Sequence, residues 1–154
     1  MNKDNINKLI TMNSKDPLVF FLDLDHTIQG NIKPQLNEYS LLQQIVYPSK
    51  KEKNQVLKDY TNSIHIDLKK GLLRPSFKRF ITKLRIRFPN IEFFVYTASE
   101  DKWAKIIVRK IESYLGIVIN KYIFTRNHCV VTEDGRCMKS IRKNLPILQR
   151  ILKK

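Results

Sequence analysis

Two carboxylates two residues apart, Asp23 and Asp25, close the run Leu18-Val19-Phe20-Phe21-Leu22-Asp23-Leu24-Asp25-His26-Thr27. The apolar stretch, preceded by Pro17 and rich in β-formers, reads as a parallel strand buried on both faces and central in its sheet. Ligand sites in open α/β sheets lie at the carboxyl ends of such strands. Side chains at i and i+2 share one side while the strand lasts, so both carboxylates can face one crevice and hold a divalent cation against a phosphate. One carboxylate is then placed to attack phosphorus, and the other to protonate the leaving oxygen and activate water. The competing reading is a strand end capped by solvated aspartates.

The rest of the chain supplies the elements that must position this pair. Residues 29–62 form a polar insertion above the sheet, with a helical pattern over 38–46 and a second basic segment reaching Tyr60. Residues 63–68 alternate polar and apolar and read as an edge strand leading into Gly71. From Pro75, a favourable first helical position, Phe77, Phe80, Ile81 and Leu84 recur at helical spacing up to Pro89. A second strand over 91–96 and a helix over about 101–114 follow, the latter with Ser99 or Glu100 as its cap and Trp103 in its core stripe. Residues 122–124 give a short third strand. Residues 129–131 and 136–138 flank the hairpin turn Asp134-Gly135, and residues 145–152 form a last helix with Pro146 near its first turn. Alternating strands and helices make this an α/β chain with a Rossmann-like, right-handed, mostly parallel sheet and a small β-hairpin insertion. Residues 17–154 are expected as one domain behind a flexible extension, 1–16.

The chain has 154 residues, 42% of them hydrophobic, enough for an ordinary core. No apolar run approaches the ~20 residues of a membrane span, and the opening residues lack a signal peptide's apolar stretch. The expectation is a soluble intracellular protein of cytoplasm or nucleus, with no membrane partner. Two cysteines are too few for a disulfide framework, and His128, Cys129 and Cys137 lack a fourth zinc ligand, so core thiols are expected. Lys and Arg number 29 against 14 Asp and Glu, a formal charge of +15. Polyanion contact through the basic surface is one reading of that excess. The other is an A+T-rich coding sequence, since the basic residues are scattered and accompanied by many Asn and Ile.

Asp23-Leu24-Asp25-His26-Thr27 resembles the aspartate motif of the haloacid dehalogenase superfamily of phosphotransferases. Leu73-Arg74-Pro75-Ser76-Phe77-Lys78-Arg79-Phe80 and Val95-Tyr96-Thr97-Ala98-Ser99 resemble segments of the phosphatases that act on the carboxy-terminal domain of RNA polymerase II. Phe124 to Cys129 is similar to that family's Arg-x-x-Cys segment, and Asp134-Gly135-Arg136-Cys137-Met138-Lys139 to its Asp-Gly-x-x-x-Lys stretch. The resemblance runs in order from Leu18 to Leu145. It implies the haloacid dehalogenase type of sheet, magnesium as cofactor, an aspartyl-phosphate intermediate, and a phosphoserine or phosphothreonine peptide as substrate, the polymerase domain included. By the same resemblance Asp23 is the nucleophile and Asp25 the general acid/base, both touching the metal. Thr97 binds the phosphoryl oxygens and Lys139 neutralises the charge on nucleophile and phosphate. Thr27, Ser99 and Arg126 fall at substrate-binding positions; His26 is assigned no role.

Two departures shape the expectation. Ser140 stands where the family usually has Asp after the lysine. Residues 140–154 contain no Asp or Glu, so the last acidic metal-binding motif, and the C-terminal core strand that carries it, have no counterpart here. Residues 18–22 would then be an edge strand, covered by the insertion or tail, completed by a partner strand from another polypeptide, or left bare. The alternative function is a catalytically weak phosphate- or nucleic-acid-binding module of the same fold. A polynucleotide end phosphatase suits the charge but not the Arg-Pro and Thr-Ala-Ser motifs.

Overall fold

Parallel pairing organises the sheet in a computed structural model that describes residues 17–31, 33–119 and 122–153. The extension expected over 1–16 lies outside these residues. Strand β1 (Leu18–Leu22) pairs with β2 (Ile91–Tyr96), Leu18 opposite Ile91 and Leu22 opposite Val95, and β2 pairs with β3 (Ile123–Phe124). Among the described residues the order is β1-β2-β3, so the strand tipped by Asp23 lies at an edge, in line with the edge reading of residues 18–22 and not with the central one that its apolar run suggested. Burial on both faces fails there: Leu22 is covered, whereas Leu18 and Phe20 are 39% and 37% exposed.

Five α-helices are described: α1 (Lys33–Gln44), α2 (Lys50–Asp67), α3 (Phe77–Arg87), α4 (Asp101–Leu115) and α5 (Ile141–Leu152). Residues 63–68 are not the edge strand that their alternation suggested. Leu57, Tyr60, Ile64 and Leu68 recur at 3- and 4-residue spacing and turn one helical face to the core, where Ile64 and Leu68 are buried. The Ser49 hydroxyl caps that helix by accepting from the Glu52 N–H at 3.2 Å. A wide turn over Leu68–Leu72 then ends it, with Gly71 at φ 102°, a conformation that side-chain-bearing residues rarely adopt. Helix α1 stops at Gln44, short of the expected Val46, which is exposed. Helix α5 begins at Ile141, four residues earlier than read, because the Ser140 hydroxyl accepts from the Lys143 N–H at 3.2 Å; Pro146 therefore sits inside the helix.

The two faces of the sheet are covered unequally. Leu22, Phe93 and Val95 meet Tyr39, Ile64, Ile81, Trp103 and Ile107 in the larger layer, to which α1 to α4 all contribute. Trp103 is a core residue, its ring 5.2 Å from that of Tyr39. On the other face Phe94, Tyr96, Phe124 and Cys129 pack against Leu148 of α5. The hairpin β4 (Val130–Val131) and β5 (Cys137–Met138) is antiparallel and shorter than expected, turning at Gly135 with φ 77°.

Candidate active site

Asp23 and Asp25 leave the end of β1 in different company. Asp23 Oδ1 accepts from the Leu24 N–H at 2.8 Å and forms an ion pair with Lys139 Nζ at 2.5 Å. Both side chains are partly open to solvent, at 43% and 32% exposure, so the pair is reachable from outside. Asp25 is held by hydroxyls and an amide. Its Oδ2 accepts from Ser99 Oγ at 2.9 Å and Thr97 Oγ1 at 3.3 Å, and its Oδ1 from Gln29 Nε2 at 3.2 Å.

The end of β2 presents those hydroxyls by a local device. The Thr97 N–H donates to the Phe124 carbonyl at 2.9 Å, carrying the β2–β3 pairing one residue past the strand. Thr97 Oγ1 in turn accepts the Ser99 N–H at 3.1 Å, which curls the chain and aims Ser99 at Asp25. Ser99 therefore does not cap α4. The cap position is Glu100, whose side chain makes no capping bond.

Arg74 holds the loop that follows the carboxylates, a role that sequence reading did not reach. Its Nε donates to the Thr27 carbonyl at 2.5 Å and its Nη2 to the His26 carbonyl at 2.7 Å. His26 is left-handed there, at φ 59°, which costs a non-glycine residue energy that the clamp offsets. Thr27 is exposed at the rim. Arg126 is exposed as well and ties the β3 end to the β2 end, its N–H donating to the Ser99 carbonyl at 3.0 Å and its Nε to the Ala98 carbonyl at 2.9 Å.

Lys139 is anchored from behind by a buried network that the sequence did not reveal. The Ser140 N–H donates to Tyr96 Oη at 2.9 Å, and Tyr96 Oη donates to the His128 carbonyl at 2.9 Å. Asn144 Nδ2 reaches Ser140 O, His128 O and Tyr96 Oη at 2.8, 2.9 and 3.0 Å. Burial pushes the Tyr96 phenol up from its ordinary value. The faint sequence signal was a tyrosine in a strand's last position, where a hydroxyl can reach past the sheet. Sequence-distant segments, 23–29, 74, 97–99, 126 and 139, thus converge on one rim.

Among the described residues no group of three or more His, Cys, Asp or Glu is placed to hold a metal. Asp23 Oδ2 is the site carboxylate oxygen with no partner among those residues. A hard cation that keeps several waters and takes its remaining ligands from a phosphate fits such a sparse oxygen set; a zinc cage does not. His128 turns both ring nitrogens elsewhere, to the Thr125 N–H at 3.0 Å and Tyr122 Oη at 2.9 Å. The Cys129 thiol is pushed up to about 11 by burial and then by the neighbouring Cys137 thiol.

No curated protein and no solved structure matches the chain significantly. A protein-family model does match, over residues 18–154, which takes in β1, both strand ends, the Arg126 segment and Lys139. On that match the chain belongs to the NLI interacting factor-like phosphatases, the family of phosphatases of the polymerase carboxy-terminal-domain type.

Proposed function

We propose that the chain is a magnesium-dependent phosphatase of phosphoserine and phosphothreonine in extended peptide segments, working through an aspartyl-phosphate on Asp23. The observation that carries the reading is the ion pair between Asp23 and Lys139, made across 116 residues of chain at the carboxyl end of a parallel strand. Asp23 Oδ2 forms the bond to phosphorus while the bond from phosphorus to the serine or threonine oxygen breaks. Asp25 gives the departing oxygen its proton. Water then attacks the phosphoryl group, its proton passes to Asp25, the bond between phosphorus and Asp23 breaks, and inorganic phosphate leaves.

Lys139 screens the charge of nucleophile and phosphoryl group, a role that dominates phosphoryl transfer. The hydroxyls of Thr97 and Ser99, which donate to Asp25 in the free chain, turn to the phosphoryl oxygens and release Asp25 to carry its proton. Thr27 and Arg126 border the peptide at the rim. Magnesium, held by Asp23 and by Asp25 through its main-chain oxygen, would spread the phosphoryl charge when bound. The test is hydrolysis of an aryl phosphate by the full chain with and without excess magnesium, beside Asp23→Asn. Turnover that needs the metal and vanishes in the variant supports the reading; equal turnover in the variant sinks it.

A second reading rests on the sparse donor set: the site holds a phosphorylated or polyanionic partner and turns it over slowly or not at all. Asp23→Asn then leaves phosphopeptide affinity unchanged, and affinity falls steeply with salt.

A further inference from the structure

The open edge of β1 is built to accept a strand. The Leu18 N–H donates to the Asn90 carbonyl at 3.2 Å, so Leu18, Phe20 and Leu22 turn their main-chain groups towards β2. Val19 and Phe21 therefore aim their N–H and C=O groups outwards. Among the described residues nothing pairs with them. Beside this edge runs a groove of about 420 Å³, lined by Phe20, Thr27, Arg74, Pro75, Phe77 and Phe80. Phe80, 42% exposed, meets Phe20 edge-on at 6.0 Å between ring centroids. An exposed apolar edge of this kind is a template for pairing, and natural proteins seldom leave one bare.

The charge around the edge says what fits it. Helix α3 flanks one face of β1 and carries Lys78, Arg79, Lys83, Arg85 and Arg87 with no acidic residue. Helix α5 packs with Val19 and Phe21 on the other face and carries Arg142, Lys143 and Arg150, again with none. Arg85 turns away to the Val118 and Ile119 carbonyls and Lys143 to the Cys129 carbonyl, which leaves six cations on the two helices, none of them in an ion pair among the described residues. A second copy of this chain would bring the same cations to the same place and be repelled.

We infer that β1 is a docking edge for an acidic polypeptide partner, which adds an extended segment of about five residues with apolar side chains flanked by Asp and Glu. Main-chain bonds to Val19 and Phe21 supply pairing, Phe20, Phe77 and Phe80 receive a side chain, and α3 and α5 attract the flanks. This surface adjoins the rim at Thr27 and Arg74, but its test reads binding and exchange and does not depend on turnover.

The experiment titrates the full chain with a fluorescent peptide, five alternating Val and Ile residues between Glu-Asp pairs, and with the same peptide flanked by Lys pairs. Main-chain hydrogen exchange at Val19 and Phe21 is followed in parallel. Saturable binding of the acidic peptide, at least tenfold weaker for the basic one, with slowed exchange at both amides, is the expected result. Val19→Pro removes an outward N–H where an edge strand tolerates proline and should weaken binding at least tenfold. Should that variant misfold, the double variant Lys78→Glu with Arg79→Glu carries the test through the charge alone. Three outcomes overturn the inference. One is equal binding of both peptides. Another is slow exchange at Val19 and Phe21 in the free monomer, which would mean that residues 1–16 already occupy the edge. The last is protection that grows with protein concentration, which would assign it to a second copy.

Discussion

Replacing Asn144 with Ala probes how a residue remote from the carboxylates holds Lys139 in place. Asn144 is 2% exposed, and its Nδ2 donates to Ser140 O, His128 O and Tyr96 Oη. Without it the His128 carbonyl keeps the Tyr96 hydroxyl at 2.9 Å and the Ser140 carbonyl keeps the first main-chain bond of α5, but the side-chain bridge that ties the two carbonyls together is lost. Two bonds at about 1 kcal/mol each, with up to about 1 kcal/mol for the small void, give a loss of about 2–3 kcal/mol. In a domain of this size each kcal/mol moves the melting midpoint by about 2–4 °C, so the midpoint should fall by about 5–10 °C, read by circular dichroism. Ser140 directly follows Lys139, so the same change loosens the ion pair to Asp23. Turnover of an aryl phosphate, measured well below the midpoint, should fall about tenfold or more, as small misplacements of charge-bearing groups do. Tyr96→Phe strands the Ser140 N–H of the same network, and the double variant should lose less than the sum of the singles. A midpoint shift below about 2 °C for Asn144→Ala, or strictly additive losses in the double variant, would refute the positioning role.

Ser99→Ala removes the 2.9 Å donor to Asp25 while leaving the partly exposed backbone intact. It should lower turnover about tenfold with stability changed by less than about 1 kcal/mol, and unchanged turnover would show that Thr97 and Gln29 alone hold Asp25. Cys129, whose thiol lies well above the usual range through burial, should resist iodoacetamide at pH 8 while Cys137 is alkylated; mass spectrometry of the peptides decides. Tyr60 and Tyr96 hold their protons to higher pH in the folded chain, both through burial first and Tyr60 also through the neighbouring Glu38 carboxylate. Because their folded values are raised, the stability they contribute is complete below about pH 10 and is lost as pH climbs through the folded values. Absorbance at 295 nm should therefore show these phenols ionising after the others and together with unfolding.

Asp23 and Asp25 were legible as a pair because an apolar run ending in spaced carboxylates is a local pattern, and so were β2, α4 and the hairpin turn at Gly135, each fixed by periodicity or by a backbone need within a dozen residues. The segment over 63–68 misled for the opposite reason: six alternating residues fit both periods, and only packing of Ile64 and Leu68 against the core selected the helix. The same limit separates the site's members. Nothing near Arg74 in sequence says that its guanidinium spans the carbonyls of His26 and Thr27, and nothing near Ser99 says that its hydroxyl serves Asp25 and not its own helix. Partners that lie tens of residues apart meet through strand order and crossover geometry, not through local preference. The sequence by itself determined the strand, its two carboxylates and a chain rich in positive charge. Tertiary structure decided that Tyr96 and Asn144 hold Lys139 against Asp23, that Ser99 and Thr97 serve Asp25, and that the β1 edge lies between two helices without a single acid, because each of these depends on which distant surfaces are brought together when the core is buried.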